Sequence, residues 1–380
     1  MVNHAQLPQA EAVVDLGAYR ANLEALAAAA PGAELMAVVK ADAYGHGVAA
    51  LAPAARQAGA TWLGVATIDE ALALRHRGDT GRVLCWLSAP GGDFAAAVSA
   101  GVEVTASSVA QLEEILTAGT AVGLRPRVQL KVDTGLSRNG AHGEEWFRLL
   151  EAARAAQDAG RVHVTGVWSH LAASEEPDHP ANDLQEQAFA EAVAQMESAG
   201  LEPGLRHLAN SGAILTRPSV HLDLVRAGIA SYGYSPDPAL QHDVLLRPVM
   251  TLRARLAQVK RVPAGTSVSY GWTWTAEHDT TLGLVPIGYA EGIMRSVSNR
   301  ATLLHRGVRV PLVGKVCMDQ LVVDLGDGTA RRGDAIVLWG PGDDGEPTAD
   351  DWARDAGTIS YEVVTRLGGR IVRTYRGAEA

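Results

Sequence analysis

The residue with the clearest chemical potential is a lysine that ends an apolar run. Leu35-Met36-Ala37-Val38-Val39-Lys40 is followed by Ala41-Asp42-Ala43-Tyr44-Gly45-His46-Gly47. Such a run reads as a buried strand that delivers one amine to the mouth of a sheet. An unpaired ammonium there is costly, so its pKa must fall or the amine must be used covalently. Lysines in that position form Schiff bases with carbonyl compounds, pyridoxal phosphate among them. A lysine that snorkels to solvent at a strand end satisfies the same pattern, and this stretch alone leaves both readings open.

The elements that must position such a residue follow a regular alternation. Strand-like segments fall at 34–40, 62–68, 82–87, 102–107, 125–133, 162–170, 205–210 and 221–228. Helical patterns lie between them at 48–59, 69–78, 91–100, 108–118, 143–159, 184–199 and, more weakly, 211–216. Gly59, Gly78, Gly101, Gly119, Gly160 and Gly200 stand where helix C-caps are expected. An earlier helix, 16–30, has Asp15 as its N-cap and ends at Pro31-Gly32. Eight strands alternating with helices predict an α/β fold, a (β/α)8 barrel, with a doubly wound open sheet as the alternative.

Beyond residue 240 the texture becomes β-rich, with runs from Met250 to Val262, Ser267 to Trp274, Thr281 to Ile287, Ala301 to Val316, Gln320 to Leu325 and Ala335 to Leu338. One helix is expected at Ala349–Ala356 and a last strand at Arg370 to Tyr375. The expected division is a barrel over 1–240 and a second, mostly β C-terminal domain over 241–380, with Pro236-Asp237-Pro238 as linker.

In a (β/α)8 barrel the chemistry sits at the C-terminal ends of the strands. Lys40 closes the first strand; Lys131 and Asp133 close the fifth, with Arg138 in the loop beyond. His170 closes the sixth, Asn210-Ser211 the seventh, and Arg226 with Gly228-Ile229 the eighth. Ser211 and the Gly228-Ile229 backbone follow strands seven and eight, the usual phosphate position in such barrels. Asn210-Ser211-Gly212 also reads as a plain N-cap, and the two roles are compatible because both use exposed helix N–H groups. Arg226 cannot be neutralised on a core strand, so it needs acceptors.

With these pieces assembled, the chain resembles alanine racemase, the barrel-type (fold-type III) pyridoxal-phosphate amino-acid racemase, over essentially its whole length. The resemblance rests on Val39-Lys40-Ala41-Asp42-Ala43-Tyr44-Gly45-His46-Gly47, Lys131-Val132-Asp133-Thr134-Gly135 with Arg138, and His207-Leu208-Ala209-Asn210-Ser211. Val225-Arg226-Ala227-Gly228-Ile229, Val268-Ser269-Tyr270-Gly271 and Ile287-Gly288-Tyr289-Ala290 add to it, as do Cys317-Met318-Asp319-Gln320 and Ile359-Ser360-Tyr361-Glu362. Asp42 stands where many members carry Asn, and Asn139 where an apolar residue is common.

The resemblance implies pyridoxal 5'-phosphate as cofactor and interconversion of L- and D-alanine by two bases, Lys40 and Tyr270. It implies cofactor binding by Lys40, Tyr44, His170, Asn210, Ser211, Arg226, Gly228, Ile229 and Tyr361. Arg138, Met318 and Tyr289 are implied for substrate, and Lys131, His207 and Asp319 as supporting residues. Lys131 matches a lysine that many members carry as a carbamate. The implied assembly is a head-to-tail homodimer in which the β domain supplies Tyr270 to the partner subunit's barrel. A barrel-type decarboxylase shares this plan but pairs the pyridine nitrogen with a carboxylate, whereas Arg226 stands at that position here. A barrel-only cofactor carrier would lack the domain that holds Tyr270. Serine or broader specificity stays open beside alanine.

Composition narrows the classes. The chain has 380 residues, a net charge of -10 and no basic block, which argues against nucleic acid and anionic membranes. The 12 histidines are scattered without metal-ligand spacing, so no metal is expected. Two distant cysteines, Cys85 and Cys317, form no disulfide framework. With no basic n-region before an apolar core at the N-terminus and no charge-free stretch of spanning length, the expected compartment is the cytoplasm, where such an enzyme would supply D-alanine as a peptidoglycan precursor.

Overall fold

The computed structural model describes residues 8–377. The chain folds into two compact units. One comprises residues 19–43 and 48–246; the other comprises residues 8–18, Tyr44–Gly47 and residues 247–377.

The first unit is a barrel. Numbering strands along the chain from an N-terminal strand β1 (Ala10–Asp15), which belongs to the other unit, the barrel uses β2 (Glu34–Val38), β3 (Trp62–Val65), β4 (Arg82–Cys85), β5 (Glu103–Ala106), β6 (Arg127–Lys131), β7 (His163–Trp168), β8 (Leu205–His207) and β9 (Leu224–Ala227). These pair in the order β8-β7-β6-β5-β4-β3-β2-β9, every pair parallel. The seam between β8 and β9 is bridged by backbone N–H groups, from Asp223 to the Arg206 carbonyl (3.1 Å) and from Arg226 to the Ala209 carbonyl (3.1 Å). The barrel reading therefore holds and the open sheet does not, because the two end strands of the order, β8 and β9, meet along this seam.

The strands stop a few residues short of the expected runs, since the polar residues at their ends already belong to loops. The helices lie where the alternation places them: Leu16–Ala29, Val48–Gln57, Ile68–His76, Phe94–Ser99, Val109–Val122, Glu144–Asp158, Pro180–Ser198 and Ser211–Thr216. Asp15 accepts from the Ala18 N–H at 3.0 Å, as an N-cap does. Gly119 is not a C-cap. Its helix runs on to Val122 and ends at Gly123, which has φ 67°. Gly119 instead lets Pro126 approach: a Cβ there would lie 2.6 Å from the proline ring.

At the barrel centre, Met36, Trp62, Leu84 and Leu224 form one buried cluster with Trp86 and Leu205 against it. These side chains fill the space between strands, so the barrel is a packed core.

In the second unit β1 joins β10 (Met250–Arg255), β11 (Gln258–Val262), β12 (Ser267–Val268), β13 (Trp274–Thr275), β14 (Thr280–Val285), β15 (Thr302–His305), β16 (Val308–Pro311), β17 (Leu321–Asp324), β18 (Ala335–Trp339) and β19 (Val372–Arg376). Three sheets result: β16-β15-β18-β10-β1-β19, β11-β14-β17 and β12-β13. The run Ala301 to Val316 breaks at Arg306-Gly307, both at positive φ, which is a two-residue hairpin turn. Thr348 and Asp351 form the capping box of helix Ala349–Ala356. A helix at Ser360–Thr365 is too short for sequence periodicity to announce.

The sequence reading cuts the chain once, at residue 240. The structure divides it at Leu246–Arg247 and sends residues 8–18 and Tyr44–Gly47 to the β unit. The reason is strand pairing: β1 lies antiparallel to β10 and parallel to β19, partners at the other end of the chain.

Met36→Ala is expected to open a cavity in the central cluster and lower the unfolding free energy by about 2–5 kcal/mol. Urea unfolding followed by circular dichroism checks it, and a loss below about 1 kcal/mol would mean the barrel centre is not packed this way.

Candidate active site

Parallel strands alternate their side chains, so residues two apart share a face. Gln129 and Lys131 on β6, Leu224 and Arg226 on β9, and Leu205 and His207 on β8 are such pairs. Their second members sit at the C-terminal rim.

Arg226 is the hub. Its Nη1 donates to the His207 carbonyl (3.0 Å) and to His207 Nδ1 (3.1 Å). Its Nη2 donates to the carbonyls of Ser169 (2.9 Å) and Leu208 (2.9 Å) and to His170 Nδ1 (3.2 Å). Burial pushes the guanidinium down to about 9, which leaves it charged at neutral pH. Because it can only donate, a neutral histidine bonded to it through Nδ1 offers a lone pair there and carries its proton on Nε2. Burial first, and then the Arg226 charge, hold His170 and His207 well below the ordinary histidine range.

Trp168 lies at the centre of the group. It stacks on the His207 imidazole (5.5 Å, 8° between planes) and meets Trp86 edge-on at 6.0 Å. Lys131 Nζ stands 4.2 Å from its ring centre and the Arg226 guanidinium 5.1 Å. Lys40 Nζ is 6.0 Å from the Trp86 ring. Burial, with the Arg226 and Arg138 charges, pulls Lys131 down to about 7. Burial and Arg138 likewise lower Lys40, while Glu70 opposes them.

Lys40 opens an unusual turn. Ala41, Asp42, Ala43 and Tyr44 all have φ near 52–53°, a left-handed run of L-residues that costs about 1–2 kcal/mol each. It is pinned by the Ala41 N–H on Glu70 Oε1 (2.6 Å) and the Val48 N–H on Asp42 Oδ1 (2.8 Å). Glu70 also accepts from the Ala66 N–H (2.8 Å), so one carboxylate ties two strand ends.

Arg138 is presented by a loop that Asp133 folds back, accepting from the N–H groups of Gly135 (2.9 Å) and Ser137 (3.0 Å). Gln185 joins that loop to the one after β7, donating to Thr134 Oγ1 (3.1 Å) and the His170 carbonyl (3.0 Å). Asn210 caps its short helix through the Ala213 N–H (3.2 Å). The N–H groups of Gly228 (2.9 Å) and Ala230 (3.3 Å) converge on Ser211 Oγ. The Ser211 hydroxyl that gathers them stands after β8, at the end of the barrel where such folds place a phosphate. A strand-end amine of lowered pKa, this hydroxyl and a buried arginine suit the aldehyde, phosphate and ring nitrogen of pyridoxal phosphate. Among the described residues no cluster of His, Cys, Asp or Glu could hold a metal.

The β unit holds the remaining expected residues. Tyr44 is buried, with its ring 6.3 Å from that of Tyr361, and burial raises its phenol. Tyr270 stands on a short turn and is 70% exposed, with Met318 at 54% and Tyr289 at 42%. Distant segments meet here. The Tyr289 N–H donates to the Cys317 carbonyl (3.1 Å), the Ala290 N–H to the Met318 carbonyl (2.9 Å), and Ser269 Oγ to the Lys315 carbonyl (2.6 Å). Asp319 pairs with Arg370, which also holds the buried Glu291.

The sequence reading missed Trp86, Glu70, Gln129 and Gln185 and assigned Trp168 no role. Trp86 and Trp168 end barrel strands, so the same strand-end rule could have found them. Gln185 lies on a helix and carries no local mark, and Glu70 is marked only as the last residue of the Thr67-Ile68-Asp69-Glu70 capping box.

Comparison with known proteins gives a consistent picture. The family model described as alanine racemase, N-terminal domain, matches residues 14–236, and alanine racemase, C-terminal domain, matches residues 249–375. The alanine racemase of Streptomyces coelicolor is 53% identical over 97% of this chain and 96% of its own length. The structure of alanine racemase from D-cycloserine producing Streptomyces lavendulae superposes with a TM-score of 0.97 at 50% identity, covering 98% of both chains. Alanine racemase from Bartonella henselae with covalently bound pyridoxal phosphate reaches 0.86 at 32% identity, covering 97% of this chain and 100% of that one.

The two neutral histidines have a pH consequence. Their folded pKa values lie below the ordinary one, so the unfolded chain binds the extra protons. Their contribution to stability is complete above about pH 6.5 and is lost as pH falls below it. His207→Gln should flatten the fall in unfolding free energy by about one proton. Urea midpoints across pH check this, and an unchanged slope would mean His207 is protonated in the fold.

Proposed function

This chain belongs to the alanine racemase family, and we propose that it interconverts L- and D-alanine with pyridoxal phosphate as cofactor and with Lys40 and Tyr270 as the two bases. The observation that carries this reading is the lowered amine of Lys40 in one unit with the buried Arg226 and with Ser211, whose hydroxyl gathers the Gly228 and Ala230 amides.

Racemisation takes the Cα proton from one face and returns one on the other, so two acid–base groups are required. The cofactor supplies an electron sink for the carbanion left between those events. Lys40, made easier to deprotonate by burial and Arg138, would hold the cofactor at its carbonyl group and would act as base on one face. Tyr270 serves the other. A free phenol has a pKa near ~10 and needs a donor to hold its anion. The Nε2–H of His170 is suited to that part, since Arg226 occupies Nδ1.

Arg226 would face the pyridine nitrogen. Because the arginine keeps its proton, it would donate to that nitrogen, and so would restrain electron withdrawal and side reactions such as transamination. Ser211, the Gly228 and Ile229 amides, Tyr44 and Tyr361 would take the phosphate, with Asn210 beside them. Arg138 and the Met318 backbone would take the substrate carboxylate, and Tyr289 and Asp319 would line the entrance. A Lys131 amine near neutrality is prone to add carbon dioxide, and the carbamate anion would hold Arg138. His207 supports Arg226.

Tyr270 comes, in this proposal, from a second copy in a two-fold, head-to-tail homodimer. No helix among the described residues is long and apolar enough to cross a membrane. The proposed setting is the cytoplasm, with D-alanine supplied for the cell wall.

L-Alanine in D2O should acquire deuterium at Cα and lose optical rotation. Borohydride should fix the cofactor on the peptide carrying Lys40. A label mapped elsewhere would remove Lys40 from its role.

Lys40→Ala and Tyr270→Ala should each lower kcat by at least about 10²-fold. Mixed by refolding, the two should regain about a quarter of intact sites if each site draws on two chains. Activity that stays at background, with mixed dimers present, would place both bases in one chain. Labelled bicarbonate should give a carbamate carbon resonance that disappears in Lys131→Gln.

A further inference from the structure

Below the rim, a chain of hydrogen bonds runs through the barrel core to its floor. His207 Nε2 meets Gln129 Oε1 at 2.7 Å. Gln129 Nε2 donates to Glu103 Oε2 (3.3 Å), which also accepts from Thr165 Oγ1 (2.6 Å). Glu103 Oε1 accepts from Arg82 Nη2 (3.0 Å) and Arg127 Nε (3.0 Å). Gln129 and His207 are fully buried, and the Glu103 side chain is 3% exposed.

Each link in this chain has a direction. Arg82 and Arg127, which can only donate, take Glu103 Oε1, and Thr165 and Gln129 meet Oε2, so the carboxylate is an acceptor in all four bonds. Gln129 must therefore turn its amide NH2 towards Glu103 and its oxygen towards His207. That oxygen requires a proton on His207 Nε2, which leaves a lone pair on Nδ1 for Arg226. Were Gln129 flipped, its NH2 would confront the imidazole N–H, and the histidine could keep only one of its two bonds. A Cβ on Gly166 would lie 2.6 Å from the Leu205 carbonyl oxygen and 3.2 Å from the Gln129 side chain.

We propose that Glu103 and Gln129 are positioning residues for Arg226, setting the hydrogen-bond polarity of the series Glu103–Gln129–His207–Arg226 from the barrel floor. Neither touches substrate or cofactor. Their effect is to keep His207 an acceptor, so that the guanidinium holds one orientation at the rim. The functional half of this inference rests on the racemase reading; the polarity half does not.

The test uses the holoenzyme, 15N-labelled at histidine, with His207 assigned from the signal lost in His207→Asn. In the wild type, His207 should show one protonated and one bare nitrogen, unchanged from about pH 6 to 9. Gln129→Met keeps the volume and removes both links. It should bring the two nitrogen shifts together and lower kcat about tenfold with KM within about twofold. In an Arg226→Lys background the same change should cost less than about twofold, because the arginine it orients is gone.

Equal losses in both backgrounds would mean a packing role and overturn the proposal. So would His207 shifts identical in wild type and Gln129→Met. Should Gln129→Met fail to fold, Glu103→Gln carries the same test, since an amide at the floor no longer dictates which way Gln129 turns and a second His207 state should emerge. Shifts that change as expected in a wild-type protein unable to racemise alanine would overturn the racemase reading and leave the polarity series standing.

Discussion

The site depends on one buried cation without an adjacent anion. Arg226 is surrounded by three backbone carbonyls and two imidazole nitrogens, and no carboxylate is among its hydrogen-bond partners in the described residues. A buried charge is tolerable only when its donors are satisfied, so each of those acceptors is obligatory. Two histidines must stay neutral and in one tautomer. The loops after β7 and β8 must turn their carbonyls inward. Many features of the rim follow from these requirements.

Burial and neighbouring cations shape the lysines. Burial with the Arg226 and Arg138 charges lowers Lys131, and burial with the Arg138 charge lowers Lys40. Ammonium groups placed there lose their protons more readily, which is the condition for an amine to act as nucleophile, base or carbon dioxide acceptor. Glu70 moderates the effect at Lys40 and at the same time anchors the left-handed turn that begins with it. Conformational strain and electrostatic strain thus lie side by side at the residue proposed as base.

The residues of the proposed chemistry fall in both units in a way the chain order explains only in part. The barrel unit carries Lys40, Lys131, His170 and Arg226, and the β unit carries Tyr44, Tyr270, Tyr289 and Tyr361. Exposed Tyr270, Met318 and Tyr289 are held on segments that interlock through backbone hydrogen bonds. A large aromatic and a methionine exposed on so well-tied a frame fit a surface that meets another surface.

Periodicity by itself determined the barrel. Eight apolar runs of strand length, spaced by amphipathic helices, admit few other folds, and the rule that barrel chemistry lies at strand ends then picked out Lys40, Lys131, His170, Ser211 and Arg226. Those positions are local facts of the chain, and they were legible. What tertiary structure alone decided is everything that depends on partners far away in sequence. β1 joined the β unit because its edges match β10 and β19. Gly119 became a contact for Pro126 and not a helix end. Gln129, Glu103 and Gln185 became polar links because the barrel's closure and the packing of its helices bring their amide and carboxylate groups within hydrogen-bond reach. A glutamine on a strand reads the same whether it faces water or a buried histidine, and only the assembled fold tells the two apart, because burial is what turns an optional hydrogen bond into a required one.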